Sequence, residues 1–147
     1  MDKQVIKISM NELSPLITDC LNDGLNVTLT VTGNSMQPLL CHNRDQVVLT
    51  KPNSSDLKKG DLPLYVRRNG QYVLHRIVEV KNGTYTMTGD AQTLLEHGIM
   101  PDQIIGIVKG LYRKGRYIDC DGKSYRFYVG AWIKFIRLRP RLLRVYR

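Results

Sequence analysis

Residues 62–88 read LPLYVRRNGQYVLHRIVEVKNGTYTMT, and this stretch decides the fold. Asn69-Gly70 and Asn82-Gly83 each separate two runs rich in β-branched and aromatic residues, and Asn-Gly is the strongest short-range signal for a β-hairpin. Pro63 suits a strand edge or the first residues of a strand, because proline cannot donate to a sheet. The stretch therefore predicts strands at 62–66, 72–80 and 84–88 that follow one another as an antiparallel meander.

Further strands are expected on both sides of this meander. Apolar and β-branched residues dominate 27–31, 46–50 and 103–111, and short strands are expected to flank Lys114-Gly115 and Asp121-Gly122. Residues 91–102 lack this pattern and predict a loop with one helical turn.

A helix is expected at each end of the chain. Ser9-Met10-Asn11-Glu12 matches a capping box, and Gly24 is a suitable stop for a helix over about 9–23 that Pro15 could displace or kink. Its apolar face is predicted to contain Leu13, Leu16, Ile17, Cys20 and Leu21. Near the C-terminus a second apolar face contains Val129, Trp132, Ile133 and Ile136, with basic residues off that face, and Pro140 should end or bend the helix.

Length and pattern predict one mostly β domain. A chain of 147 residues is large enough for one core and too short for two ordinary domains. We expect a coiled antiparallel meander or barrel-like sheet, with an N-terminal helix and a basic amphipathic C-terminal helix. Residues 1–125 would form the β domain, and residues 126–147 the tail.

The positive charge is concentrated in that tail. Residues 123–147 contain eight basic and no acidic side chains, so they supply +8 of the net charge of +9. We therefore expect no nucleic-acid partner for the domain, and only the tail is a candidate for an anionic surface. Residues 128–147 would either lie on an anionic membrane or pack their apolar face on the sheet.

The remaining composition favours a reducing compartment. Cys20, Cys41 and Cys120 are odd in number and not closely spaced, so neither a disulfide framework nor a metal site is predicted, and no cofactor is expected. No signal-peptide core and no apolar run of about 18 residues is present. We expect a cytoplasmic protein, peripheral at the inner face of the membrane if the tail binds there.

Residues 33–38, GNSMQP, form a turn that could present a nucleophile. Gly33 permits backbone angles that other residues resist, and it puts Ser35 at a strand-to-turn corner near backbone N–H groups. Acyl transfer needs such a hydroxyl beside donors that can hold an oxyanion. The alternative is a polar turn whose serine caps a short helix.

Three further stretches follow this turn in a recognisable order: Lys59-Gly60-Asp61, Leu74-His75-Arg76-Ile77-Val78 and Thr88-Gly89-Asp90. Together with residues 33–38 they resemble the signal peptidase I and LexA-like serine peptidase superfamily over about residues 31–108. His75 is similar to the histidine of the endoplasmic-reticulum and archaeal signal peptidases. Bacterial signal peptidases and LexA proteins have lysine at that position.

The resemblance implies a serine endopeptidase that cleaves an extended peptide or leader segment. Ser35 would be the nucleophile, His75 the general base, and Asp90 a group that orients or charge-balances the imidazole. The oxyanion hole and substrate-binding turn would comprise Gly33, Asn34, Met36 and Pro38. With an ordinary imidazole pKa near 6.5, cleavage should rise through about pH 6 to 7 and then level off.

Three departures from the family leave two alternatives open. Gly33 occupies a position where many signal peptidases have Ser or Thr, Ala91 replaces an asparagine, and we expect no N-terminal membrane anchor. A non-catalytic peptide-binding module is one alternative. A self-cleaving LexA-like regulator is the other, although no helix-turn-helix and no Ala-Gly cleavage site precedes Ser35. Cys41-His42 could be metal ligands, but adjacent strand side chains face opposite ways.

Overall fold

The computed structural model describes residues 10–53 and 57–135, which contain two helices, a short 3-10 turn and two antiparallel sheets. The helices are α1 (Met10–Asn22) and α2 (Lys123–Lys134), and the 3-10 turn covers Pro101–Gln103. The strands are β1 (Val27–Thr30), β2 (Gln46–Thr50), β3 (Pro63–Val66), β4 (Tyr72–Leu74), β5 (Arg76–Lys81), β6 (Thr84–Thr88), β7 (Glu96–Ile99), β8 (Ile104–Arg113) and β9 (Arg116–Asp119).

The larger sheet has six strands organised around β8. Its order is β1-β2-β8-β3-β4, and β9 also pairs with β8. The smaller sheet has the order β5-β6-β7. The predicted fold class is confirmed at this level, since the described chain is mostly β, with a curled antiparallel half-barrel and a helix near each end.

Both Asn-Gly hairpins form as predicted. Lys81 pairs with Thr84 across Asn82-Gly83, and these two turn residues have φ angles of 52° and 74°. Positive φ at both central positions matches the right-handed twist of the flanking strands, which is why Asn-Gly is favoured there. The Asn69-Gly70 hairpin is wider, with Val66 opposite Tyr72.

The expected strand over 72–80 is wrong in one respect, because it breaks at His75. β4 ends at Leu74 and pairs with β3, whereas β5 begins at Arg76 and pairs with β6 in the other sheet. His75 thus lies where the chain passes from one sheet to the other. β4 buries only Val73, whereas β5 buries the three consecutive residues 76–78 and exposes 79–81. Both halves consist largely of strand-forming residues, so the sequence does not reveal this change of partner.

Two other segments differ from expectation. The predicted loop at 91–102 contains β7, which adds to β6 with Tyr85 opposite Ile99 and Met87 opposite Glu96. The strand expected after Gly122 does not form, because α2 begins at Lys123. The short strands on both sides of Lys114-Gly115 are confirmed as the end of β8 and β9.

The helices cover the larger sheet. α1 buries Ile17 and Leu21 as predicted, but Leu16 is 59% exposed and does not belong to the buried face. α2 buries Tyr125, Val129 and Ile133. The expected cap Ser9 and residues 136–147, including Ile136 and Pro140, lie outside the described residues. No helix in the described ranges is both long enough and apolar enough to cross a membrane.

Two apolar clusters lie beneath these layers. The larger one joins both helices to the six-stranded sheet and includes Met36 and Leu40 of the turn that follows β1. The smaller one includes Tyr65 of β3 and reaches Ile77, Tyr85, Met87 and Ile99 of the second sheet. Ser35 therefore belongs to a turn anchored in the first cluster, and His75 lies beside the second.

Candidate active site

Ser35 is held in a turn that its neighbours fasten to the core. Gly33 has a φ of 85°, in the left-handed region that favours glycine, and its N–H donates to His42 Nδ1 at 2.7 Å. The Met36 side chain is buried, with 2% exposed, and anchors the turn from below. Ser35 itself is half-buried, so part of its surface is open to solvent.

Gly89 packs directly against this turn. A Cβ placed on Gly89 would overlap the Ser35 carbonyl oxygen and would lie 3.1 Å from the Ser35 Cβ. Two residues on, the Ala91 N–H donates to the same Ser35 carbonyl at 2.9 Å. The glycine of the Thr88-Gly89-Asp90 stretch is thus required by close approach to the serine, and Ala91 holds that turn through its backbone.

Ser35 and His75 line one cleft of about 240 Å³. One wall comes from residues 31–33 with Ser35 and Met36, and the other from β4 and His75. Arg67, Gln71 and Gln92 also line the cleft. Among the strands that the structure describes, β4 is outermost in its sheet, with β3 as its one partner. The two residues predicted as nucleophile and base are therefore brought to the same cleft, beside an open strand edge.

His75 is buried, with only 4% of its surface exposed. Burial lowers its pKa to about 4, and the positive charge of Arg67 acts in the same direction, against the opposing effect of Glu96 and Asp90. The imidazole is consequently neutral at pH 7. The expected pKa near 6.5 is too high for this site, because the sequence could not show how completely the ring is removed from water.

Asp90 is engaged by Arg76. Two guanidinium nitrogens of Arg76 donate to the two oxygens of Asp90 at 2.8 and 2.9 Å, and both side chains are fully buried. Arg76 also donates to the Gly60 carbonyl at 3.0 Å and to the Tyr125 hydroxyl at 3.1 Å. Burial lowers the pKa of Arg76, but the adjacent Asp90 outweighs this and raises it above its ordinary value.

This pairing changes the role expected of Asp90. Its carboxylate acts on His75 through charge, whereas its hydrogen bonds serve to tie three parts of the chain together. The Asp90 carbonyl also accepts the Trp132 indole N–H at 3.1 Å, so α2 is joined to the segment behind Ser35. Trp132 belongs to the apolar face that was expected either to lie on a membrane or to pack on the sheet. It is half-buried and stacks on Tyr128, with ring centroids 6.1 Å apart.

The other predicted turn residues divide into two groups. Gly33 and Met36 line the cleft, whereas Asn34 and Pro38 are not among its lining residues. The Asn34 side-chain oxygen accepts a hydrogen bond from Gln37 at 3.0 Å. Since the Gly33 N–H is already bound to His42, an oxyanion at this corner would need another backbone N–H, such as that of Ser35.

Sequence reasoning missed a polar chain behind His75. The Tyr65 hydroxyl lies 3.4 Å from His75 Nδ1 and donates to Glu96 at 2.6 Å, and Arg67 in turn donates to Glu96 at 3.0 to 3.2 Å. Burial alone would raise the pKa of Glu96, but hydrogen bonds from Arg67 and Tyr65 lower it. Glu96 belongs to β7, whose Glu-His-Gly-Ile sequence has no strand pattern, so nothing local signalled its position.

A larger cavity, of about 950 Å³, lies between α2 and the sheet, but its chemistry does not suit catalysis. Burial raises the pKa of its Cys120 thiol to about 11, which keeps the thiol protonated at pH 7. Asp61, also there, accepts a hydrogen bond from the Lys58 N–H at 2.9 Å. Among the residues that the structure describes, no three His, Cys, Asp or Glu side chains gather to hold a metal ion.

Comparison with known proteins adds no relative: no protein-family model and no curated protein matches this chain.

Proposed function

We propose that this protein is a serine endopeptidase of the signal-peptidase and LexA type, with Ser35 as nucleophile and His75 as general base. The observation that carries the proposal is the cleft lined by both Ser35 and His75, which brings a half-buried serine and a neutral imidazole to one place. A hydroxyl needs such a base to become a nucleophile near neutral pH.

The reaction follows from these two groups. His75 takes the proton of the Ser35 hydroxyl while the oxygen attacks the peptide carbonyl carbon, and the resulting oxyanion is held by the Ser35 N–H. The imidazolium then gives the proton to the leaving amine as the C–N bond breaks. Water, deprotonated by the same imidazole, hydrolyses the ester and returns Ser35 to its starting state.

The substrate is an extended segment that adds to β4. Residues 72–74 of this strand line the cleft, and within residues 10–53 and 57–135 no strand pairs with their outer edge. A peptide paired with that edge gains main-chain hydrogen bonds and presents a carbonyl beside Ser35. A leader segment, which is extended before cleavage, fits this mode.

Covalent labelling tests the nucleophile without knowledge of the substrate. A serine-directed fluorophosphonate should modify Ser35, identified by mass spectrometry of the digested protein, and Ser35→Ala and His75→Gln should each lower labelling by about a thousandfold. Ser124→Ala and His97→Gln are matched controls, because both residues are exposed and lie outside the cleft. Equal labelling of the wild type and Ser35→Ala would refute the proposal.

A peptide-binding module without catalysis is the second candidate. It is favoured by the Gly33 N–H, which His42 occupies, so that the oxyanion hole has fewer donors than the family pattern implies. Binding of a peptide to the wild type, with no cleavage and no labelling of Ser35, would select this candidate.

A further inference from the structure

We propose that Tyr65 and Glu96 are positioning residues for His75: the Tyr65 hydroxyl gives its hydrogen to Glu96 and accepts one from His75 Nδ1, which leaves Nε2 as the base. The inference rests on the proposed peptidase function for its catalytic meaning. The hydrogen-bonding pattern itself stands on the geometry of the three side chains.

The direction of each hydrogen bond follows from the donor count. A tyrosine hydroxyl has one hydrogen, and a carboxylate can only accept. The Tyr65 hydroxyl oxygen lies 2.6 Å from a carboxylate oxygen of Glu96, so its hydrogen is donated to that carboxylate. Toward His75 Nδ1, which is 3.4 Å away, the hydroxyl oxygen can therefore only accept a hydrogen. That distance is at the long end for a hydrogen bond, as catalytic hydrogen bonds often are before substrate binds.

Arg67 keeps Glu96 in its accepting form. Its guanidinium donates to both carboxylate oxygens, and the pKa of Glu96 is lowered as a result, although burial opposes this. Burial and the neighbouring Glu96 both raise the pKa of Tyr65, so this hydroxyl keeps its hydrogen. The charged and titratable groups that act on the imidazole are Arg67, Glu96 and Asp90, together with the Tyr65 hydroxyl.

The geometry also fixes the plane of the ring. Tyr65 is fully buried in the smaller apolar cluster and meets the imidazole edge-on, with centroids 6.3 Å apart and an interplanar angle of 63°. His75 has no strand pairing of its own, since it lies between β4 and β5. The tyrosine therefore supplies the orientation that a third triad member supplies elsewhere. Neither Tyr65 nor Glu96 lines the cleft, so both act through His75 and not on the substrate.

The tautomer of His75 tests this directly. In a two-bond ¹H–¹⁵N correlation spectrum at pH 7, wild-type His75 should show the Nδ1–H tautomer, and the signal is assigned by its loss in His75→Gln. His42 is an internal reference for the opposite tautomer, because its Nδ1 accepts the Gly33 N–H and its hydrogen must be on Nε2. An Nε2–H tautomer for wild-type His75 would overturn the proposal, whatever the effect of substitutions at Tyr65 or Glu96.

Substitution separates the hydroxyl from the ring. Tyr65→Phe should move His75 toward the Nε2–H tautomer that free imidazole prefers, and should slow fluorophosphonate labelling of Ser35 about tenfold, whereas Glu96→Gln should have a smaller effect because the amide oxygen still accepts. Tyr85→Phe is the matched control, since Tyr85 is buried in the same cluster and has no hydrogen bond to His75. An unchanged Nδ1–H tautomer in Tyr65→Phe would overturn the positioning role.

The two proposals fail in different ways. Labelling of Ser35 together with an unchanged tautomer in Tyr65→Phe would refute the positioning role and leave the peptidase. A tautomer change without any labelling of the wild type would support the Tyr65 contact and refute the peptidase.

Discussion

Protonation of His75 should make the protein less stable as the pH falls from about 6.5 to about 4. The folded protein holds the pKa of this imidazole at about 4, against 6.5 for the free side chain, because burial disfavours the charged form. Between these two values the unfolded chain binds a proton that the folded chain does not, so acid favours unfolding. The stabilisation is complete above pH 6.5 and is lost as the pH falls through the folded pKa.

The size of the effect follows from the same two values. The gap between 6.5 and about 4, at about 1.4 kcal/mol for each pH unit, amounts to about 3 kcal/mol. Other shifted groups lose their contribution at lower pH. Hydrogen bonds from Arg44, Lys114 and Cys41 outweigh burial and lower the pKa of Asp45 from 3.8 to about 2. The pKa of Glu96 is lowered from 4.5, so its contribution also declines below that value.

Urea unfolding at a series of pH values measures this dependence. Trp132 is the only tryptophan in the sequence, and its indole is bound to the Asp90 carbonyl, so its fluorescence should follow the loss of native structure near the site. His75→Gln cannot titrate and should lack most of the decline between pH 6.5 and 4.5, while His97→Gln, at an exposed position, should retain it. Parallel curves for the wild type and His75→Gln across that range would refute the assigned pKa.

The remaining predictions concern catalysis, the buried ion pair, close packing and the tail. The rate of Ser35 labelling should rise near pH 4 and be flat from about pH 6 to 9, and an inflection near 6.5 in a pH–rate profile would contradict the buried general base. Arg76→Met should lower the free energy of unfolding, measured in urea, by about 3 to 5 kcal/mol, because it leaves the buried Asp90 carboxylate without its partner charge. Adding Asp90→Leu should restore part of this stability. No recovery in the double variant would show that the unpaired charge is not the cause. Gly89→Ala should lower labelling of Ser35 by about a hundredfold, since the added Cβ would displace Ser35. Gly130→Ala, on the exposed side of α2, is the control and should leave labelling unchanged. Equal labelling of the two variants would rule out the close contact. The 147-residue protein should sediment with anionic but not with neutral vesicles. A chain that ends at residue 135 should sediment less with anionic vesicles, because it lacks the five arginines at 137, 139, 141, 144 and 147. Equal sedimentation of the two proteins would exclude residues 136–147 as the membrane contact.

Local chemistry determined much of the fold. The two Asn-Gly pairs indicate hairpins because asparagine and glycine tolerate positive φ, and the structure has a turn at each. The apolar spacing at both ends of the chain predicts helices, and both form, with Ile17, Leu21, Val129 and Ile133 buried as expected. These features depend on residues within a few positions of one another, so the sequence alone contains them.

The candidate site was only partly visible in this way. Gly33 and Ser35 form a turn after β1. The order of the short family-like motifs predicted His75 as the base, and His75 lines the same cleft as Ser35. The sequence had no means of showing that the strand breaks at His75, because the residues on both sides of it are of strand-forming types and their partners lie far away in the chain.

Tertiary structure alone decided what surrounds the histidine. Glu96 follows Tyr65 by 31 positions and reaches it through β7, a strand that forms because β6 offers an edge and not because its own residues prefer to be extended. Asp90 pairs with Arg76 because a buried charge without a partner is strongly destabilising. This penalty arises only when folding removes both side chains from water. The same enclosure lowers the pKa of His75 to about 4. Burial and long-range pairing are properties of the assembled chain, whereas turn and helix preferences are properties of short segments. The turn that holds Ser35 belongs to the second kind, and the surroundings of His75 belong to the first.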